Sequence, residues 1–259
     1  MARTPPMVTH AYGESPECVA DLRVPGTRPR ACVVLLHGGY WRDRYRRDLM
    51  ELLAVALVEE GIATWNVEYR RVGSGGGVPR TIDDVAMAID HLAQLARQRE
   101  GGLGPVILVG HSAGGHLALC AAGRHRHRGS PSLAPAAVIA LAGVCDLEQA
   151  AREGLSDRAA VDFAGGGPDH WPLLYAEASP PRLLPLGVPY LLLHGTADDS
   201  VPWQLSADFH GQAAAAGDRG DLLLLEHVGH FEPIDPATPA WQAALTWIDE
   251  LVSVGERPG

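Results

Sequence analysis

The chain has 259 residues, which suits one large α/β domain better than two small ones. Its 46% hydrophobic and 20% charged residues are those of a globular chain with a full core. A formal net charge of −10, with arginine as the sole basic residue and no dense arginine stripe, argues against nucleic acid or an anionic membrane surface as partner.

Residues 1–30 carry proline, arginine and acidic residues without an apolar centre, so they do not read as a leader. No apolar run approaches the roughly 20 residues of a membrane span. The four cysteines, Cys18, Cys32, Cys120 and Cys145, are scattered without a CxxC pair and read as buried free thiols. A cytoplasmic protein is the expectation.

Residues 31–36 form the first apolar strand, ending at Gly38–Gly39. A helical pattern over 48–60 stops at Gly61, a second strand covers 62–69, and a glycine-rich turn follows. Residues 81–97 read as a helix capped by Thr81, with Asp83 and Asp84 favouring its dipole. An apolar strand at 105–109 leads into Gly110–His111–Ser112, and a helix occupies 113–122. Strands at 136–142, 188–193 and 222–225 and a terminal helix at 239–252 complete the series. Such alternation predicts a mostly parallel sheet with helices on both faces, in a single domain over 1–259. Residues 146–187 break the rhythm with a polar run, a glycine turn and clustered prolines, and read as a lid or binding insertion.

Gly110–His111–Ser112–Ala113–Gly114 is a G-x-S-x-G elbow between a strand and a helix, which makes Ser112 the candidate nucleophile. The helix N-terminus then faces developing negative charge, and the Ala113 amide is one oxyanion donor. By analogy with the HGG-type loops of esterases, Gly39 and Tyr40 supply the other amides, while His37 braces the loop.

The acid belongs at the end of a late strand, where Asp198 and Asp199 compete. Asp199 and Ser200 precede Pro202 and suit a capping role in a first helical turn, which leaves Asp198 to reach a histidine. Of the 12 histidines, His227 and His230 follow the last strand; Gly229 permits a tight loop, which favours His230 as base and leaves His227 a structural role. His125 and His127 read as solvated surface, and His91, His116 and His210 as satisfied helix residues. The order Ser112, Asp198, His230 is that of the α/β-hydrolase fold. Trp41, His111, Trp171 and Tyr175 are the candidate substrate-binding residues, with core packing an equal reading for Trp41.

The block His37–Gly38–Gly39–Tyr40–Trp41 resembles the HGGYW signature of kynurenine formamidases. The elbow Gly110–His111–Ser112–Ala113–Gly114–Gly115 and Gly229–His230–Phe231 are similar to that family's as well. The resemblance implies hydrolysis of N-formyl-L-kynurenine through a formyl-serine, with no metal or organic cofactor. The loop from His194 to Pro202 departs from it, looking more like the acid loop of prolyl-oligopeptidase-type hydrolases and of small acetyl or feruloyl esterases.

An arylformamidase is therefore the first expectation and a carboxylesterase on short acyl or aryl esters the alternative. A peptidase is not expected, because these 259 residues hold no propeller or other large gating domain. A non-catalytic binding protein is disfavoured by the intact serine, histidine and glycines. The expected partner is a small-molecule substrate, with neither nucleic acid nor membrane; a homodimer stays open.

Overall fold

A computed structural model describes residues 6–127 and 133–255. Among them one eight-stranded sheet runs through the molecule in the order β1-β2-β4-β3-β5-β6-β7-β8. Its strands are β1 (Met7–Ala11), β2 (Val19–Arg23), β3 (Cys32–Leu36), β4 (Ala63–Val67), β5 (Val106–His111), β6 (Ala137–Leu141), β7 (Tyr190–Gly195) and β8 (Gly220–Leu225). The pairs from β4 to β8 are parallel, whereas β1–β2 and β2–β4 are antiparallel. The mostly parallel sheet expected from the sequence is present; its two N-terminal strands are additions to that expectation.

Helices α1 (Glu51–Glu59), α2 (Arg80–Gln98) and α3 (Ala113–His127) link β3 to β6 in turn. Between β6 and β7 lie α4 (Leu147–Glu153), α5 (Leu155–Ala164) and α6 (Pro172–Ala178). Helix α7 (Gln204–Ala215) precedes β8, and α8 (Pro239–Gly255) follows it. The side chains of His125 and His127 lie outside the described residues.

Alternation along each strand divides the core in two. Val34, Leu36, Leu108, Val138 and Leu192 face one layer with residues of α2, α3 and α7. Val33, Leu35, Ile107, Val109, Leu191 and Leu193 face the other, against Leu53 and Leu57 of α1 and Trp241, Leu245 and Ile248 of α8. Both faces are covered, so these strands read as continuous apolar runs. Each fully buried leucine contributes about 1.5–3 kcal/mol. The four cysteines are free and buried, and burial pushes the Cys32, Cys120 and Cys145 thiols up to about 12.

The N-terminus of α2 differs from expectation. The helix starts at Arg80, and Thr81 is fully buried in the first turn instead of capping it. Its hydroxyl donates to the Arg70 carbonyl at 2.6 Å and accepts the Gly77 amide at 2.9 Å. Asp84 turns inward and accepts from Arg70 Nε at 2.9 Å, so its charge serves an ion pair rather than the helix dipole.

The 146–187 insertion is mostly helical. Asp146 Oδ1 accepts the Glu148 and Gln149 amides at 2.9 and 3.1 Å, a side-chain cap for α4. At the α4–α5 junction Gly154, Ser156, Asp157 and Arg158 all have positive φ. Arg42 Nη2 donates to the Ser156 carbonyl at 2.7 Å and so ties this left-handed turn to the loop after β3.

Strand order reverses at β3, whose neighbours are β4 and β5. In an open parallel sheet this reversal leaves a crevice at the carboxyl ends of the strands, between the loops that leave them. Leu36 pairs with Gly110 there, so the loops carrying His37 and Ser112 leave the sheet side by side.

Candidate active site

Ser112 sits between β5 and α3 with φ of 54°, in the left-handed region that costs a non-glycine residue about 1–2 kcal/mol. Its neighbours hold it there. The Ser112 amide donates to the Leu141 carbonyl at 2.9 Å, and its carbonyl accepts from Val144 at 3.1 Å and His116 at 3.2 Å. A side chain on Gly114 would meet the Leu36 carbonyl at 2.0 Å, which explains the glycine after the elbow. The Ser112 Oγ is buried and engages no protein hydrogen-bond partner. Ala113 opens α3, so its amide has no partner within the helix.

Gly39, Tyr40 and Trp41 have φ of 108°, 50° and 56°, three successive left-handed residues. Several contacts hold the strained turn. The Gly39 carbonyl accepts from the Arg42 amide at 3.0 Å. His37 Nδ1 donates to the Gly38 carbonyl at 2.7 Å, and its Nε2 lies 3.0 Å from Glu68 Oε1. The His37 ring stacks on Tyr69 at 4.3 Å, and the Tyr69 hydroxyl donates to the His37 carbonyl at 2.7 Å. Burial would raise the Glu68 carboxyl, but His37 and the Arg47 amide outweigh it and hold it below its ordinary value.

Asp198 and His230 meet across the ends of β7 and β8. His230 Nδ1 donates to Asp198 Oδ2 at 2.7 Å, which leaves Nε2 as the nitrogen able to exchange a proton. Asp198 Oδ1 accepts the Ser200 and Val201 amides, each at 2.8 Å. Burial would raise this carboxyl; hydrogen bonds from His194, His230 and Val201 overcome it and hold it well below the usual range. Asp199 is exposed, and its carboxylate accepts the Ser200 hydroxyl at 3.1 Å.

The expected capping role of Asp199 and Ser200 is not what the structure has. Helix α7 begins at Gln204, beyond both, and it is Asp198 that captures the two loop amides. The aspartate that reaches the histidine therefore also organises its own turn. His227 is exposed, and its amide donates to Thr196 Oγ1 at 3.2 Å.

Three of the four candidate substrate-binding residues are enclosed. Trp41 is 1% exposed, stacked on Phe163 at 4.5 Å and edge-on to His116 at 5.1 Å. Tyr175 is buried with its hydroxyl donating to the Gly166 carbonyl at 2.9 Å. Both side chains are used in packing instead of facing open space. His111 is also buried; its Nε2 donates to the His230 carbonyl at 2.9 Å, and burial next to His230 lowers its pKa to about 3. It holds the backbone of His230. Trp171 is 52% exposed.

Sequence reading misses two groups at this site. One is His194, fully buried with Nε2 3.2 Å from Asp198 Oδ2; its position four residues before the aspartate, at the strand end, is the available signal. The other is Phe231, 57% exposed with its ring edge-on to His230 at 5.2 Å.

Comparison with known proteins bears on the family and the fold. Residues 21–212 match the BD-FAE family profile. The chain is 28% identical over 235 residues to a probable isoprenylcysteine alpha-carbonyl methylesterase of rice (Oryza sativa subsp. japonica), an alignment covering 85% of this chain and 56% of that protein. The alignment thus spans about half the length of that relative, and about a quarter of two other isoprenylcysteine methylesterase-like relatives. A truncated carbohydrate esterase from gut microbiota superposes with a TM-score of 0.83 at 18% identity, over 98% of this chain and 99% of that one. Esterase B from Lactobacillus rhamnosis, inhibited by a tributyrin phosphonate, gives 0.81 at 21% identity, over 98% and 89%. Esterase 2 of Thermogutta terrifontis, phosphoramylated by tabun, gives 0.73 at 25% identity, over 98% and 96%. With its matched profile spanning most of the sequence and its sheet that of these esterases, the chain belongs to the BD-FAE family and has the α/β-hydrolase fold.

Proposed function

We propose that this protein is a serine carboxylesterase in which Ser112 is the nucleophile, His230 the base and Asp198 the acid. The observation that carries the reading is the 2.7 Å Asp198–His230 hydrogen bond beside a left-handed serine whose Oγ is unengaged. In the first step His230 Nε2 takes the hydroxyl proton as Oγ attacks the ester carbonyl carbon. The oxyanion is met by the amides of Gly39, Tyr40 and Ala113, each such donor contributing about 3–4 kcal/mol. Collapse breaks the bond to the alkoxy group, which leaves as an alcohol with the proton from His230. Water then repeats the cycle on the acyl-serine and releases a carboxylic acid. Asp198 stays ionised and steadies the imidazolium.

The named relatives are esterases, and the His194–Pro202 loop has an esterase-like pattern, which together favour an ester over a formamide. Phe163 stacked on Trp41 and Arg42 bonded to the Ser156 carbonyl dock the α4–α6 segment on the Tyr40–Trp41 loop, which supports a role for that segment in bounding the substrate site. The formamidase reading rests on the Trp41-containing signature, and Trp41 is a core residue here.

A side-by-side assay of short p-nitrophenyl esters and N-formyl-L-kynurenine, with Ser112→Ala as blank, tests the reading. Higher catalytic efficiency on the esters supports it; a formamide turned over far better than any ester replaces it with an arylformamidase.

A further inference from the structure

Asp198 serves two histidines. One is the base; the other, His194, is fully buried at the end of β7 and touches no solvent. Its Nε2 lies 3.0 Å from the Val201 carbonyl and 3.2 Å from Asp198 Oδ2. A carbonyl only accepts, so the hydrogen is on Nε2 and is shared between the two oxygens. In that tautomer Nδ1 accepts the Ser206 hydroxyl hydrogen, at 2.8 Å, from the first turn of α7. Ser206 Oγ in turn lies 3.5 Å from Cys145 Sγ.

The contacts close into a ring. The Val201 amide donates to Asp198 Oδ1, and the Val201 carbonyl and Asp198 Oδ2 share the hydrogen of His194. The carboxylate therefore cannot rotate about its Cβ–Cγ bond without breaking bonds at both oxygens. Its remaining direction of approach, at Oδ2, is taken by His230 Nδ1.

We propose that His194 is a positioning residue for catalysis: together with Ser206 it fixes the Asp198 carboxylate in the plane that presents Oδ2 to His230. The proposal rests on the serine-esterase reading above. His194 touches neither substrate nor the reacting atoms, so its loss slows the chemical step and leaves substrate binding alone.

The test compares His194→Phe, His194→Gln and Ser206→Ala with wild type. The readouts are kcat and KM on p-nitrophenyl acetate, the rate of Ser112 labelling by an aryl phosphonate, and Tm. His194→Phe fills the ring volume without a donor and is expected to lower kcat and the labelling rate about tenfold or more, with KM within about twofold. His194→Gln restores a donor and is expected to recover most of that loss. Ser206→Ala frees the tautomer and is expected to lower kcat about threefold.

Wild-type kcat in His194→Phe, a His194→Gln variant no better than His194→Phe, or KM rising as far as kcat falls overturns the assignment. If His194→Phe does not fold, Ser206→Ala decides, and an unchanged kcat there overturns the assignment as well. The two readings fail separately. A wild type that labels at Ser112 but cleaves no ester loses only the substrate assignment, and the labelling rates still decide on His194. A wild type that does not label loses the nucleophile, and this proposal with it.

Discussion

The two loops flanking Ser112 are held in place by different physics. The His37–Arg42 loop is strained, with three consecutive left-handed residues, and it is kept so by a buried indole, a stacked imidazole and a buried carboxylate. The acid loop is held by hydrogen bonds that converge on the two oxygens of Asp198. Strain over-determined by packing ties a loop's shape to the stability of the fold. A loop ordered around one carboxylate depends instead on a single side chain, here the proposed catalytic acid. Damage to the first loop therefore appears through strain and packing, in stability and rate together; damage at Asp198 appears in rate and in the pH-dependent part of stability.

In the proposed scheme both loops serve the reaction at Ser112, so Ser112→Ala has the largest expected effect. Turnover falls to background while the thermal midpoint barely moves, as paired kinetics and calorimetry on the purified variant would record. Residual activity at wild-type level would remove the nucleophile from the scheme. Asp198→Asn is next, with kcat down about 10³–10⁴-fold because the His230 ring loses its orienting acceptor. The same variant sharpens the comparison at low pH. The Asp198 carboxyl is depressed in the folded state, so its contribution to stability is complete above the unfolded value near ~3.9 and is lost as pH falls through the folded value. The amide introduced by Asp198→Asn does not titrate, and acid denaturation followed by circular dichroism should show a shallower limb for the variant.

Gly39→Ala comes third and should combine both kinds of damage. The added methyl meets Tyr45 Cβ at 2.4 Å at a φ of 108°, so we expect a loss of about 1–3 kcal/mol in stability together with lower kcat. Chemical denaturation beside steady-state assays checks this; lost rate at full stability would break the contrast between the loops. The smallest effect belongs to His227→Ala, where activity within about twofold of wild type is expected because its ring lies exposed outside the Asp198 contacts. A large loss there, with His230→Ala active, would transfer the role of base.

The parts of this molecule that can be read from sequence are those where one pattern has one meaning. Strands β3, β5, β6 and β7 are buried throughout and appear as unbroken apolar runs. Ser112, Asp198 and His230 follow strands in glycine-punctuated loops, where the backbone demand is itself visible. Strands β1 and β2 are not legible. Thr9 donates to Asp21 at 2.6 Å between them, and Arg23 pairs with Glu51, so polar residues at the sheet edge are satisfied by partners distant in sequence. Within the 146–187 insertion, prolines and glycines punctuate three short helices whose bounds the sequence pattern does not reveal. Trp41 and Tyr175 show the further limit that a sequence names an aromatic ring without saying which way it points. Phe163, which covers Trp41, lies far along the chain.

The hydrogen bonds that close the site span long stretches of chain. Tyr40 donates to the Ser200 carbonyl across 160 residues, and His111 to the His230 carbonyl across 119. Loop-closure entropy opposes such contacts until the intervening strands have paired. The site is accordingly expected to form late in folding and to be lost early on partial unfolding. Covalent labelling at Ser112 would then report more than catalytic competence: during refolding, its onset would time the completion of the whole sheet.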